Sequence, residues 1–345
     1  MKKIISIIII ACLSVGIWFI ISEIYTAEAQ KSDLAQFEVK SGESISSLAD
    51  RLESEQIIRS AWIFKKYLVW KGIDEEVRVG QFEIMSPITL ARVVNALGDP
   101  SLIEKEITII PGWTIRDVAQ YLEREGIAQA EELTEFIGLP AVNYRIAGIG
   151  EPTDKYLNLK VLVDKPNYIS YEGYLAPDTY RIYKDATVED IVDILIDERN
   201  DQITDEMYQA IVESGRNIHE VITLASILER EVRGVEDKKK VADIFWRRYD
   251  VNWALQADST VHYAVGKTGN LFTTNEDRDS LNSWNTYKYP GLPPGPISNP
   301  SLETVDAAIY PEKNDYWYFL TDSDGTVHYA KTLEEHNANV YMYLR

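Results

Sequence analysis

The sequence predicts an α+β protein with an N-terminal transmembrane helix, a small α+β unit present twice, and a larger mixed α/β domain. Three observations predict it. An unbroken apolar run extends from Ile4 to Ile21. The frame Gly-x-x-Ile-x-x-Leu/Val-Ala-x-x-Leu occurs twice, starting at Gly42 and at Gly112. Beyond Tyr171, apolar residues recur at helical spacing in several segments, and short strand-like runs follow them.

The apolar run has only Ser6, Ser14 and Gly16 as weak interruptions. At 1.5 Å rise per residue its length is about 27 Å, close to the hydrocarbon core of a bilayer. Lys2 and Lys3 precede it, so the positive-inside rule leaves residues 1–3 in the cytoplasm and sends the rest of the chain across. A cleaved signal peptide needs small residues after a short apolar core, whereas Trp18-Phe-Ile-Ile21 runs straight into Ser22-Glu23. Ile9-Ile-Ala-Cys12 weakly resembles a lipoprotein box, but the run continues well past Cys12. The reading adopted is a single-pass anchor over residues 4–22 in the cytoplasmic membrane. Cys12 is the only cysteine, so the exported part holds no disulfide and no thiolate chemistry.

About 320 residues follow, enough for two or three domains. A hydrophobic fraction of 45% supplies real cores, and the net charge of −20 argues against nucleic acid as a partner. The expected division is 23–138 for the repeat region and 139–345 for a second domain.

Each copy of the repeat reads as a short strand, a Gly turn, a Ser/Thr cap and a helix with apolar residues three and four apart. The copies are Val39–Leu52 and Ile110–Leu122. The frame resembles the LysM type of glycan-binding module; a small α+β unit without a ligand is the alternative. Between the copies, Ala61–Gly72 is helical by pattern and Gly80–Ile84 strand-like. Residues 138–170, rich in Pro, Gly, Asn and Tyr, read as a boundary or ordered insertion. Helices are expected at Val188–Asn200, Asp205–Ser214, His219–Val232 and Asp237–Tyr249. Tyr316–Leu320 and Val327–Ala330 then form a hairpin turning at Ser323-Asp-Gly325.

One of these helices carries chemistry. Ile222-Thr-Leu-Ala-Ser-Ile-Leu-Glu-Arg-Glu-Val232 places two acids at the end of an apolar pattern. Glu229 and Glu231 are two apart and point to different sides. Glu229 has Arg233 four residues on, the favourable ion-pair orientation. Glu231 has Ile227, Leu228, Gly234 and Val235 as neighbours and no cation. A carboxylate without a partner against apolar walls has a raised pKa and suits general-acid work near neutral pH. Glu231 is favoured, and Glu229 stays open.

Five further segments, in order, give this helix a context. They are Glu172-Gly-Tyr-Leu-Ala-Pro-Asp-Thr-Tyr180, Leu255-Gln-Ala-Asp-Ser-Thr-Val261, Trp284-Asn-Thr-Tyr287, Gly291-Leu-Pro-Pro-Gly-Pro-Ile297, and Tyr318-Phe319 through His328 to Glu335-His-Asn337. Together with Ala225–Glu231 they resemble the endolytic murein transglycosylase (YceG-like) family. The resemblance implies cleavage of peptidoglycan glycan strands internally, outside the membrane, by one catalytic glutamate. It also implies a role in terminating strand elongation and peptidoglycan synthases as partners. The wider class of lytic transglycosylases carries a hydroxyl residue directly after its catalytic Glu, and that frame selects Glu231. Here the next residue is Val232, a departure that keeps Glu229 as the alternative. The family's Asp-Pro-Thr reads Asp258-Ser259-Thr260, its Asn-Arg-Leu reads Arg247-Arg248-Tyr249, and its Tyr-Asn-Thr-Tyr reads Trp284-Asn285-Thr286-Tyr287.

The implied chemistry needs one acid. A hydrolysing glycosidase needs two carboxyl groups, whereas a lytic transglycosylase lets the substrate's own C6 hydroxyl attack. Gln256, Asp258, Thr260, Asn285 and Tyr287 are the expected substrate contacts, with turn formation and capping as the alternative for each. Gly291–Ile297 reads as a rigid cleft-shaping loop. The four histidines, His219, His262, His328 and His336, show no ligand spacing, and neither a metal nor a cofactor is expected. Two other functions compete: a non-catalytic wall-binding scaffold, and a lysozyme-type hydrolase using Asp258 as second acid.

Overall fold

A computed structural model describes residues 2–26, 34–99, 104–184, 186–267 and 273–344, with the side chains of 2–13 and Met85 outside the description. The chain forms two compact units, residues 1–107 with 181–185, and residues 108–180 with 186–345. This division falls at 107/108 and not at the expected 138/139, so the two copies of the repeat frame are separated.

The first unit opens with helix α1 (Lys2–Tyr25). The span expected at 4–22 lies within it, and much of that span, Cys12 included, falls on side chains outside the description. Among the described residues no helix is long and apolar enough to cross a membrane.

The first repeat copy follows as β1 (Leu34–Val39), α2 (Ile45–Ser54), α3 (Ala61–Lys71) and β2 (Gly80–Met85), then α4 (Leu90–Gly98) and β3 (Glu104–Thr108). Strands β1 and β2 pair antiparallel with Phe37 opposite Phe82. Alternate residues Ala35, Phe37 and Val39 are buried, as a strand with one face on a core requires. Leu48, Leu52, Phe64, Leu68, Val94 and Leu97 from the helices close that core.

The two copies fold alike because their local chemistry is alike. Gly42 and Gly112 both have positive φ, 75° and 83°, a turn that glycine adopts without strain. Ser44 accepts from Ser47 N–H and caps α2. Thr114 accepts from Asp117 N–H and caps α5 (Ile115–Arg124) in a capping box.

The second unit continues with α6 (Ala130–Ile137) and α7 (Tyr144–Ala147); the chain then passes through β4 (Thr179–Tyr183), whose residues 181–183 belong to the first unit, and goes on with α8 (Val188–Gln202), α9 (Asp205–Glu213), α10 (Ile218–Glu231) and α11 (Val235–Asp250). Then come α12 (Asp258–Val265), α13 (Asn275–Arg278), α14 (Leu302–Ile309), the antiparallel hairpin β5 (Tyr318–Thr321) and β6 (Val327–Ala330), and α15 (Leu333–Tyr343). The expected helices from 188 to 249 and the hairpin all form, with small shifts at their ends.

Two of the quoted segments meet in the interior. Gly173 N–H and Leu175 N–H donate to Asn299 Oδ1 at 2.9 and 3.0 Å. Gly173 has φ 89°, and a Cβ there would lie 2.5 Å from Pro296. Gly173→Ala is therefore expected to cost about 3 kcal/mol through strain and overpacking. Thermal melting followed by circular dichroism should fall by roughly 10 °C.

Beside it, Glu172 is buried and accepts the Ile115 N–H with both carboxylate oxygens, at 3.0 and 3.1 Å. It also accepts Asn299 Nδ2 at 3.1 Å. Burial pushes its pKa from the ordinary 4.5 up to about 8, against the lowering effect of the Ile115 N–H. The folded chain thus holds this proton more tightly than the unfolded chain. Its contribution to stability is complete below pH 4.5 and is lost as pH rises toward about 8. Melting across that range should show a smaller loss of stability in Glu172→Gln than in the parent chain.

Candidate active site

Helix α10 is set by a capping box at its start, where Asn217 Oδ1 accepts Glu220 N–H and the Glu220 carboxylate accepts Asn217 N–H. From Ile218 to Leu228 every residue except Glu220 is buried. A helix apolar on all sides is a central helix, and α9, α11, α12 and α14 all pack on it. Its last turn emerges from the core carrying Glu229 and Glu231 on different sides.

Glu231 is the final residue of α10, followed by the cap Val232. Its Oε1 accepts two hydrogen bonds from the start of α12: Ser259 Oγ donates at 2.6 Å and Ser259 N–H at 3.3 Å. Burial raises its pKa, the two Ser259 bonds oppose the rise, and the negative charge of Asp258 adds to it; the net shift is upward. The carboxylate end of a helix also carries negative dipole charge, which acts in the same direction.

The carboxylate faces a cavity of about 500 Å³. Its apolar wall is Phe245, Leu255, Phe319 and Leu320, contributed by α11, the loop before α12 and β5. Phe245 and Phe319 meet edge to face at 5.5 Å. The sequence neighbours Ile227 and Leu228 do not line it. Thr321 Oγ1 donates to the Glu231 carbonyl at 3.3 Å and ties the hairpin to the helix end.

Glu229 occupies a different environment. Burial disfavours its charge, but Thr304 Oγ1, Ser301 N–H and Ser301 Oγ all donate to its Oε2, and Lys238 adds an opposite charge. The outcome is a pKa below the ordinary value. Its cation is Lys238, with Nζ 3.3 Å from Oε1 and both side chains nearly buried at 5% and 11% exposure. The partner expected from the sequence, Arg233, is not the one used, because α10 ends at Glu231 and position 233 no longer shares its helical face.

The other expected contacts divide into two groups. Gln256, Asp258 and Tyr287 line the cavity with Glu231. Tyr287 OH donates to Asp258 Oδ1 at 2.7 Å, and Arg278 Nη2 lies 3.4 Å from the same oxygen. Gln256 has φ 57°, a left-handed backbone that a side-chain-bearing residue adopts at a cost and that often marks functional loops. Thr260 and Asn285 are fully buried and lie outside the cavity. Thr260 Oγ1 donates to the Ala257 carbonyl at 2.7 Å. Asn285 Nδ2 donates to the Arg278 and Ser280 carbonyls, and its Oδ1 accepts Tyr287 N–H. They hold the backbone that presents Asp258 and Tyr287.

Residues not among the expected contacts also line the cavity: Arg248, Arg278, Tyr318, and Leu333, His336 and Val340 of α15. Arg248 is buried and donates to the Leu255 and Trp317 carbonyls. The spacing of Leu333, His336, Val340 and Leu344, which share one helical face, was the available signal for α15. The Gly291–Ile297 loop is fastened to α10, where Ile297 N–H donates to Ser226 Oγ and His219 Nε2 pairs with the Pro294 carbonyl. Burial lowers the pKa of His219 to about 4, so it is neutral and structural. Among the described residues no group of three or more His, Cys, Asp or Glu side chains is placed to hold a metal ion.

Residues 37–342 match the YceG-like family, most of the chain. The chain belongs to the YceG-like family. Among its relatives, it is 29% identical over 320 residues to a Bacillus subtilis protein named endolytic murein transglycosylase, covering 90% of this chain and 85% of that one. It is 27% identical over 351 residues to a Streptococcus pneumoniae protein of the same name, covering 96% of this chain and 63% of the relative. The chain thus spans under two thirds of the pneumococcal protein's length. A crystal structure of a YceG-like protein from Listeria monocytogenes superposes with a TM-score of 0.57 at 29% identity, over 89% of this chain and 99% of that one.

Proposed function

We propose that this YceG-like protein is a peptidoglycan lytic transglycosylase that cuts the MurNAc–GlcNAc bond within glycan strands, with Glu231 as its acid. The observation that carries the proposal is a carboxyl of raised pKa facing a cavity of about 500 Å³ lined by both apolar and hydrogen-bonding side chains. The names of the relatives support the substrate class.

Protonated Glu231 donates to the glycosidic oxygen as the C1–O bond breaks through an oxocarbenium-like state. Its carboxylate then takes the proton of the C6 hydroxyl of the same MurNAc, and that oxygen bonds to C1. The new end is 1,6-anhydroMurNAc and no water is consumed. Burial raises the pKa of Glu231 and so favours the protonated form that a general acid needs. Asp258, engaged by Tyr287 and Arg278, and Gln256 line the same cavity and would hold hydroxyl or acetamido groups.

Residues 4–22 would anchor the chain in the cytoplasmic membrane, with residues 1–3 inside and the remainder outside. The repeat units would bind or present glycan, and peptidoglycan synthases are the expected partners, with cleavage ending strand growth.

Digestion of purified glycan strands by the full-length chain in detergent, with product ends read by mass spectrometry, tests this. Internal fragments whose terminal sugar is one water lighter than a hydrolysis product support it. Reducing ends would make the protein a hydrolase with Asp258 as the second acid. No cleavage by folded protein would leave a wall-binding scaffold.

A further inference from the structure

We propose that Ser259 is the positioning residue of the proton donor. The inference rests on Glu231 being the acid. Val232, the residue after the acid, is buried at 2% exposure and brings no polar side-chain atom to the carboxylate. Ser259 donates its hydroxyl at 2.6 Å and its N–H at 3.3 Å to Glu231 Oε1. Proline offers neither donor. Among the described residues no other group hydrogen-bonds the Glu231 carboxylate, so Oε2 is the oxygen left to carry the transferred proton.

The geometry gives Ser259 two consequences. It fixes the rotamer of a side chain at the fraying end of a helix, where the main chain supplies little restraint. It also stabilises the carboxylate and restrains the rise in pKa that burial causes. The charged and titratable groups facing Glu231 are Arg230 on α10, Arg248 on α11, Asp258 on α12, Arg278 on α13, Tyr287 on the loop after it and His336 on α15.

The test is the pH dependence of kcat/KM on glycan strands for the full-length chain, Ser259→Ala, Ser259→Pro and Glu231→Gln. Activity needs protonated Glu231 and falls as pH rises through its pKa. Removing the hydroxyl donor moves this descending limb upward by about one pH unit in Ser259→Ala, and removing both donors moves it further in Ser259→Pro. On the plateau kcat falls about tenfold with KM nearly unchanged. A residue that only supports the fold would lower the rate without moving the limb. An unmoved limb in both folded variants overturns the proposal while leaving Glu231 as the acid. Wild-type cleavage by Glu231→Gln overturns the acid assignment, and the role of Ser259 with it.

Discussion

Glu231→Gln is expected to lower glycan cleavage by about 10²–10⁴-fold, the usual contribution of a positioned general acid, without lowering the melting temperature. The amide matches the carboxyl in shape and still accepts from Ser259, but it has no proton to give. Stability should not suffer, because the folded chain already disfavours the charged form of this group. A raised pKa means that the stabilisation from Glu231 is complete below its ordinary value of 4.5 and declines as pH climbs through the raised one. At neutral pH the neutral glutamine escapes that loss, so the variant should melt at the parent temperature or slightly above. Strand digestion and calorimetry on the same preparation check both halves. A folded variant that cleaves normally would show that the acid lies elsewhere, and a variant that unfolds would overturn the stability half.

Glu229→Ala is expected to do the opposite: a large loss of stability with chemistry preserved below the melting point. The change strands Lys238, a nearly buried ammonium, and leaves the Ser301 and Thr304 donors at the start of α14 without their acceptor. Removing one partner of a buried ion pair typically costs about 3–5 kcal/mol. For a unit of this size that amounts to roughly 10 °C in melting temperature. The pKa of Glu229 is lowered on folding, so its contribution is present above the ordinary value and disappears as pH falls through the folded one. The parent chain should therefore lose stability in acid faster than Glu229→Gln, which keeps an acceptor but not the charge. Melting curves at pH 3 to 7 for the three chains decide this. Two carboxylates two residues apart thus have opposite assignments, because their surroundings push their pKa values apart.

Much of this was legible in the residues. Helices α8 to α11 and the β5–β6 hairpin were recoverable because helical and strand periodicity and turn chemistry act over a few residues. The likeness of the two repeat copies was recoverable for the same reason, since a left-handed Gly turn followed by a Ser or Thr cap dictates the helix start wherever it occurs. The pair Glu229 and Glu231 was legible as two acids ending one apolar helix, but the local reasons for preferring one were not those the fold uses, since Lys238 and not Arg233 pairs with Glu229.

What lay beyond reach depends on residues distant along the chain. The wall around Glu231 is built from Phe245, Leu255, Phe319 and Leu320, and no local pattern joins them. The cation of Glu229 is Lys238 because the helix stops before Arg233 can turn back toward it. Helix α15 buries no residue fully, so its hydrophobic pattern is faint, yet it closes one side of the cavity. Thr260 and Asn285 share motifs with Asp258 and Tyr287, but only packing shows which side chains face the cavity and which hold the backbone behind it.

The sequence by itself determined the repeat helices, α3, α8 to α11, the β5–β6 hairpin, the family and the pair of candidate acids, because periodicity, capping and motif order are written in neighbouring residues. Only the tertiary structure decided which acid has a raised pKa and what holds it in place. Burial and hydrogen bonding at a carboxylate are sums over atoms from α10, α11, α12, α14 and β5, brought together by folding.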